Sequence, residues 1–503
     1  MKRYKEYAIV TGILFLVIAF IYYKFLGGQY ILSSGDSLSA QAVKHSLNNV
    51  EITGWYSYLF SGMPAVHSLI SAQYLYPPHH IMLLLNKIIG LPWIWNFIFH
   101  YVFAGIGVYA LLRFLNQNKY SSIFGASLFM LLPSMIAYLA HGHGSQVMTA
   151  CYIPWIILYL FKVYDKSRLI DVGIFSILIG LQILRGHPQI AYYTWMMIGL
   201  FILIKLIQLI YHAIKKNNVI ELIKTKLFVL LSLVLGILST LCLYLPVREF
   251  ASLSSRGGGT NSGLNWAVDG WSLSWRESLT FILPYIHGFG GENYKINPYH
   301  GMWGTDFPNY IGLFIVILAI IGFWKSKIKL EYKIFFGLSM IFSFLISLGK
   351  YFLSFYEIFY NYFPYFSSFR VPAFILIIFQ FSIIILASCG IVHLINILKR
   401  NIKYSLVVLL TSIIGISILV FNQDQQDHQI TYEEIAQNID ATLPYNNYLD
   451  DINLLKDLLT KYYPELLNLY SGDDYSLELS DFTSCLIFYS FENHIAQNKI
   501  NEL

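Results

Sequence analysis

Apolar residues in this chain fall into long unbroken blocks, not into the alternation of a half-buried strand or the narrow stripe of a surface helix. The blocks centre on residues 7–26, 91–113, 121–140, 147–163, 170–186, 190–212, 227–246, 309–324, 334–349, 372–397 and 404–421. The longer ones reach the roughly 20 residues that a helix needs to cross a hydrocarbon layer of about 30 Å. The pattern predicts an all-α polytopic membrane protein with about eleven transmembrane helices. The first block follows Met1-Lys-Arg-Tyr-Lys and exceeds the apolar core of a signal peptide. Gly27-Gly-Gln-Tyr-Ile-Leu-Ser-Ser offers no small-x-small cleavage site, so the block reads as a retained first helix.

Two polar connections are long, residues 28–90 and 248–308, and both are rich in Gly, Trp, Tyr and His. Loops of that length usually carry function. The first contains Tyr76-Pro-Pro-His-His and then Ile81 to Ile89, an apolar segment too short to span, which predicts a short helix lying along the interface. No repeat of fixed period is visible, nor the inverted symmetry between halves that marks many secondary transporters. After Phe421 the chain turns polar, with Asp424, Asp427, Glu433, Glu434 and Asp440. The expected organisation is a transmembrane domain over 1–421 and a polar tail over 422–503, in which Tyr448 to Leu469 has a helical apolar pattern but no chemical motif.

Composition agrees with the blocks. Hydrophobic residues make up 56% and charged residues only 12%, about half the charged share of a soluble domain, and mean hydropathy is +0.56. The net charge of +5 is spread over short loops and forms no nucleic-acid footprint. Cys151, Cys242, Cys389 and Cys485 are far apart, three of them inside apolar blocks, and suggest neither a disulfide framework nor a zinc site. With a cytoplasmic amino terminus, eleven crossings assign 19 lysines and arginines to short internal segments and 10 to the much longer external ones before the tail. This asymmetry predicts a multi-pass cell-membrane protein whose two long loops and tail are external.

The unusual polar residues then collect on that external side: Gly35-Asp-Ser, Trp55 with Phe60-Ser-Gly-Met-Pro64, His141-Gly-His-Gly-Ser-Gln146, Arg185-Gly-His-Pro-Gln189, Arg248-Glu249 and Phe369-Arg-Val-Pro372. Ionisable groups at helix ends are costly unless they pair or line a wet cavity, so one polar site is expected there. Asp36 can act as a general base or a metal contact, or equally cap a helix beginning at Asp36-Ser-Leu-Ser. His141 and His143 are spaced to share a metal ion, but no third ligand is evident, and interfacial hydrogen bonding explains them as well. Arg185 and Arg370 suit a phosphate because guanidinium grips its oxygens in a fixed fork, although an arginine at a helix end also snorkels. His187, Gln189 and Glu249 are candidates for lining the same site. Gly257-Gly-Gly-Thr lacks the Lys-Ser/Thr ending of a phosphate-binding loop and reads as flexible loop.

These residues, in this order, resemble the YfhO-type bacterial membrane proteins, which belong to the GT-C-like polytopic glycosyltransferases. The resemblance runs from about residue 8 to 400. It rests on Gly35-Asp-Ser-Leu, Trp55 through Phe60-Ser-Gly-Met-Pro, His141-Gly-His-Gly-Ser-Gln, Leu184-Arg-Gly-His-Pro-Gln-Ile-Ala-Tyr-Tyr, Trp303-Gly before Tyr310-Ile-Gly, and Phe369-Arg-Val-Pro. It implies transfer of a sugar from a polyprenyl-phosphate carrier, a partner held among membrane lipids, to a glycan or lipid acceptor of the cell envelope. Asp36 occupies the place of the family's acidic base or metal contact, with a divalent cation as the cofactor implied. The competing class is a transporter or lipid flippase, which would need polar groups at mid-membrane depth. The apolar blocks are nearly free of charge except at their ends, with Lys205 the main exception.

The orientation is testable by cysteine labelling from outside intact cells. Probes at Ser57 and Ser262 should react without permeabilisation; reaction only after permeabilisation would reverse the topology.

Overall fold

The computed structural model describes residues 2–30, 32, 55–56, 62–64, 68–69, 72–214, 220–251, 253, 263–269, 271–284, 286–287 and 307–400, with backbone alone at 2–3, 56, 212–214, 220–226 and 398–400. Gly35-Asp36-Ser, Trp303-Gly, the apolar block 404–421 and the tail lie outside the described residues. All that is described belongs to the first of two units, residues 1–405.

The fold is all-helical apart from a minimal hairpin, in which β1 (Trp55–Tyr56) pairs antiparallel with β2 (Met63–Pro64). Gly62 sits there at φ +113 with the Trp55 ring against it, where a Cβ would approach the ring to 2.8 Å. The helices are α1 (Lys2–Ile21), α2 (Pro77–Ile89), α3 (Ile94–Phe114), α4 (Lys119–Met130), α5 (Pro133–Ala140), α6 (Gly144–Ala150), α7 (Ile153–Lys166) and α8 (Leu169–Leu184). They continue with α9 (Pro188–Ile214), α10 (Ile220–Leu238), α11 (Leu241–Ala251), α12 (Leu264–Asp269), α13 (Leu313–Lys325), α14 (Leu330–Ser347), α15 (Leu353–Tyr362) and α16 (Leu376–Arg400).

Among the described residues, seven helical stretches are long and apolar enough to cross a membrane, and eight if the bent pair Leu227–Leu238 and Leu241–Ala251 is one span. The chain is thus built as a multi-pass membrane protein. One expected span is interrupted by proline: α4 and α5 divide at Pro133, which has no N–H to give the helix and holds Leu132 extended. The pair α10–α11 bends by 69°. Two further expected spans are the shorter apolar helices α8, with 16 residues, and α13, with 13. At 1.5 Å per residue these reach only about 24 and 20 Å.

Helix α16 is the centre of the bundle. In lipid there is no hydrophobic drive between helices, so they hold together by close packing of small residues and by polar contacts. A Cβ on Gly390 of α16 would lie 1.9 Å from the Leu318 carbonyl oxygen of α13, and one on Gly322 of α13 would lie 1.9 Å from the Leu386 carbonyl oxygen of α16. On its other side, the Ser121 hydroxyl of α4 donates to the Ser388 carbonyl, and Gly125 faces the Ser388 side chain. One buried ladder crosses the core: Ser134 donates to Gln380 Oε1 at 2.8 Å, Gln380 Nε2 donates to Asn309 Oδ1 at 3.2 Å, and Asn309 Nδ2 donates to the Phe307 carbonyl at 2.9 Å. This ladder fixes Phe307 against the bundle.

Helix α2 forms where the short interfacial helix is expected, with Pro77 and Pro78 at its start and Gly90 closing it at φ +64. Its His79 and Met82 are buried, while Ile81, Leu84 and Ile88 form an exposed apolar stripe.

Gly390→Ala should cost about 1–3 kcal/mol or more, because the added methyl meets backbone instead of a flexible side chain. Thermal unfolding in detergent checks this; an unchanged midpoint would mean that α13 and α16 do not pack glycine to backbone.

Candidate anion site at one end of the bundle

Two of the sequence motifs prove to be the same kind of turn. In His141-Gly-His, Gly142 ends α5 at φ +87, its N–H donates to the Leu139 carbonyl at 3.1 Å, and the His143 N–H donates to the Tyr138 carbonyl at 2.8 Å. That is a Schellman closure, which requires a left-handed residue and therefore favours glycine. In Arg185-Gly-His-Pro, Gly186 ends α8 at φ +84 and donates to the Ile183 carbonyl at 3.0 Å. A Cβ there would come within 2.9 Å of the Ala72 side chain. Pro188 then opens α9, where its missing N–H costs nothing, and the Ile190 N–H reaches His187 Nδ1 at 3.4 Å, the place of a helix-capping acceptor. The glycines, the proline and part of the role of His187 are thereby explained by chain reversal.

Both turns bring a histidine to Phe374. The ring centroids lie 6.4 Å apart for His143 and 5.9 Å apart for His187. Phe307 stacks on His143 at 5.7 Å and meets His141 at 4.7 Å, with Trp271 at 6.3 Å and Tyr138 at 5.2 Å from the same ring. His141 Nδ1 lies 2.8 Å from the Ala137 carbonyl. The carbonyl can only accept, so His141 Nδ1 donates to it. Among the described residues no group of three or more His, Cys, Asp or Glu could hold a metal ion. His141 and His143 form part of an aromatic wall with Phe307. Glu249 is on the exposed side of α11 and is not joined to this wall by these contacts.

Gln189 ties the Arg-Gly-His-Pro-Gln and Phe-Arg-Val-Pro motifs together. Its buried Nε2 donates to the Arg370 carbonyl at 2.5 Å and lies 3.3 Å from the Val371 carbonyl and 2.8 Å from the Tyr193 hydroxyl. Val371 has φ 62 and ψ 76. A β-branched side chain in that region costs about 1–3 kcal/mol and persists only where its surroundings impose it. Gln189, the Phe374 N–H on the Val371 carbonyl at 3.1 Å, and the Ala373 N–H on the Trp271 carbonyl at 3.3 Å supply that constraint. The effect is to turn Arg370 outward, where it is exposed and lies over the Trp266 ring at 5.5 Å.

Arg185 differs from Arg370. Protein surrounds it on nearly every side, yet part of its surface stays accessible, as for a side chain that lines a recess. Among the described residues its Nε has no hydrogen-bond partner and no carboxylate lies within 4 Å. Burial lowers its pKa from the usual value to about 10, which leaves it fully charged at neutral pH. The guanidinium carbon sits 5.7 Å from the centre of the Tyr76 ring. The Tyr76 hydroxyl in turn lies 2.7 Å from His100 Nε2 and 2.5 Å from the Tyr152 hydroxyl, and His100 Nδ1 lies 2.6 Å from the Asn96 carbonyl. Sequence reading left out Tyr76, His100 and Tyr152. The available signal was His100, an ionisable residue inside an apolar block.

Two lysines elsewhere are ion-paired. Lys205, the exception within the apolar blocks, is buried and pairs with Glu331 at 2.5 Å. Nearby, Lys329 pairs with Asp165 at 3.5 Å, and the Tyr332 hydroxyl donates to Asp165 at 3.0 Å. Lys205 sits about 25 Å along α9 from its start at Pro188. Glu277, buried in the second long loop, accepts from the Ser274 N–H at 2.6 Å while its own N–H donates to Ser274 Oγ at 3.2 Å, a reciprocal capping box.

Gln189→Glu replaces the donor amide by oxygens facing two carbonyls, at a cost of about 1–3 kcal/mol. Amide hydrogen exchange over residues 365–375 should accelerate; exchange equal to wild type would show that Gln189 does not hold that turn.

No protein family matches the chain, and no curated protein matches it.

Proposed function

We propose that the protein is a membrane glycosyltransferase of the GT-C-like kind, moving a sugar from a polyprenyl-phosphate carrier to a cell-envelope acceptor at the external face. The observation that carries this reading is Arg185: an enclosed, charged guanidinium without a carboxylate among the described residues, at one end of an apolar helix bundle. An uncompensated buried cation is costly, and an anion that binds it recovers that cost. A phosphate on a lipid tail suits both the charge and the apolar surroundings. The proposed topology counts the two shorter helices and the block 404–421 with the eight longer spans, which makes eleven and leaves the Arg185 end external.

In this reading Asp36, which lies outside the described residues, takes the proton of the acceptor hydroxyl. The acceptor oxygen bonds to the anomeric carbon as the bond from that carbon to the phosphate oxygen breaks. Polyprenyl phosphate leaves with the electron pair, and Arg185, with Arg370 at the mouth, stabilises the charge. The proton on Asp36 passes to water. The aromatic wall of Phe307, Phe374 and Trp271 offers apolar faces to a sugar ring. A transport reading is less well supported, since Lys205, the charged residue within the apolar blocks, is ion-paired with Glu331.

The test incubates purified protein with polyprenyl-phosphate sugars and follows release of free polyprenyl phosphate. Asp36→Asn should lower release by about 10²- to 10⁴-fold with normal expression, since Asn caps a helix as well as Asp but cannot take a proton. An Asn variant that keeps most of the activity would remove Asp36 from the chemistry.

A further inference from the structure

We infer that Tyr76 is a positioning residue for the anion recess: anchored by His100 and Tyr152, it backs the face of the Arg185 guanidinium and leaves the guanidinium's N–H edge to the ligand. The inference rests on the proposed role of Arg185 as the ligand of the donor phosphate, and names what holds that arginine.

The hydrogen atoms of the chain can be placed by elimination. The Asn96 carbonyl only accepts, so His100 Nδ1 carries a proton, and in the neutral ring Nε2 has the lone pair. The Tyr76 hydroxyl must therefore donate to Nε2, and its oxygen accepts from Tyr152. Each proton in the series Tyr152, Tyr76, His100, Asn96 is committed inside the protein. Burial holds the Tyr76 phenol well above its ordinary pKa, so it remains a neutral donor at physiological pH. Neither phenol has a proton left for a ligand, and any effect on a bound anion passes through Arg185.

The geometry of that contact decides what the arginine can do. A separation of 5.7 Å between guanidinium carbon and ring centre is within cation–π range. A carboxylate partner would occupy the N–H fork and cancel the charge. A ring partner keeps the charge and, having no carboxylate oxygens, leaves the N–H fork available to phosphate oxygens. The ring itself cannot swing away, because Tyr76 is buried and its hydroxyl is held at two points. Tyr76 also immediately precedes α2, so the exposed apolar stripe of that helix and the recess share one anchor.

The experiment measures binding of dodecyl phosphate, which carries no sugar, to the full-length protein in detergent by titration calorimetry. Tyr76→Leu should weaken binding about tenfold, while Tyr76→Phe, which keeps the ring, should weaken it only a few-fold. In an Arg185→Gln background Tyr76→Leu should have no further effect, since the coupling requires both partners. Equal losses in both backgrounds, or no loss in either, would overturn the positioning role. If Tyr76→Leu does not fold, Tyr152→Phe carries the test: it should weaken binding only while Arg185 is present, and a loss independent of Arg185 overturns the inference. Wild-type protein that fails to bind dodecyl phosphate would overturn the phosphate role of Arg185 and this inference with it. Binding by wild type without Tyr76 coupling would overturn the inference alone.

Discussion

Within a bilayer no water is available to backbone groups, and every helix end leaves several N–H and C=O groups without intrahelical partners. Each reversal of the chain must therefore be closed by its own residues. Here the closures at one end use Gly142, Gly186, His187 and Pro188, and a third turn at Val371 is held by the Gln189 amide. The same few residues that close the backbone also bring His141, His143, His187, Arg185 and Arg370 to one end of the bundle. The polar site follows from the way the turns are built, and the close packing of α13 on α16 keeps those turns in register.

Arg185 is the residue that this scheme does not account for. Gly186 and Pro188 complete the turn between α8 and α9 without it, and a neutral residue would serve equally well as the last helical position. Two other cations of the described bundle have carboxylate partners, Lys205 with Glu331 and Arg113 with Glu6 at 3.2 Å. Arg185 instead faces an aromatic ring whose hydroxyl is tied into a hydrogen-bond chain. Retaining a charge in a protein-enclosed recess, with its donors unoccupied, is consistent with binding an anion that is absent from the chain itself.

Much of the architecture was legible in hydropathy. The blocks at 121–140, 190–212 and 372–397 match the helical stretches Lys119–Ala140, Pro188–Tyr211 and Pro372–Ile397 closely, because burial in lipid imposes a continuous apolar run. The interfacial helix α2 was legible from its length and its two prolines. What escaped was everything decided by contact between distant segments. Arg185 and Arg370 look alike as arginines at helix ends, and only packing shows that one is enclosed and the other exposed. The Tyr76–His100–Tyr152 chain joins three segments with no shared pattern. The left-handed Val371 runs against its own β-branched preference and is imposed by Gln189 from another helix. The resemblance that suggested sugar transfer depends most on Asp36, which is legible as a motif residue and lies outside the described residues.

The most direct measurement is a cryo-electron microscopy structure of the protein with polyprenyl phosphate bound. The account predicts phosphate oxygens within about 3 Å of the Arg185 guanidinium, on the side away from the Tyr76 ring. A phosphate resolved elsewhere, with Arg185 making no contact to it, would contradict the account.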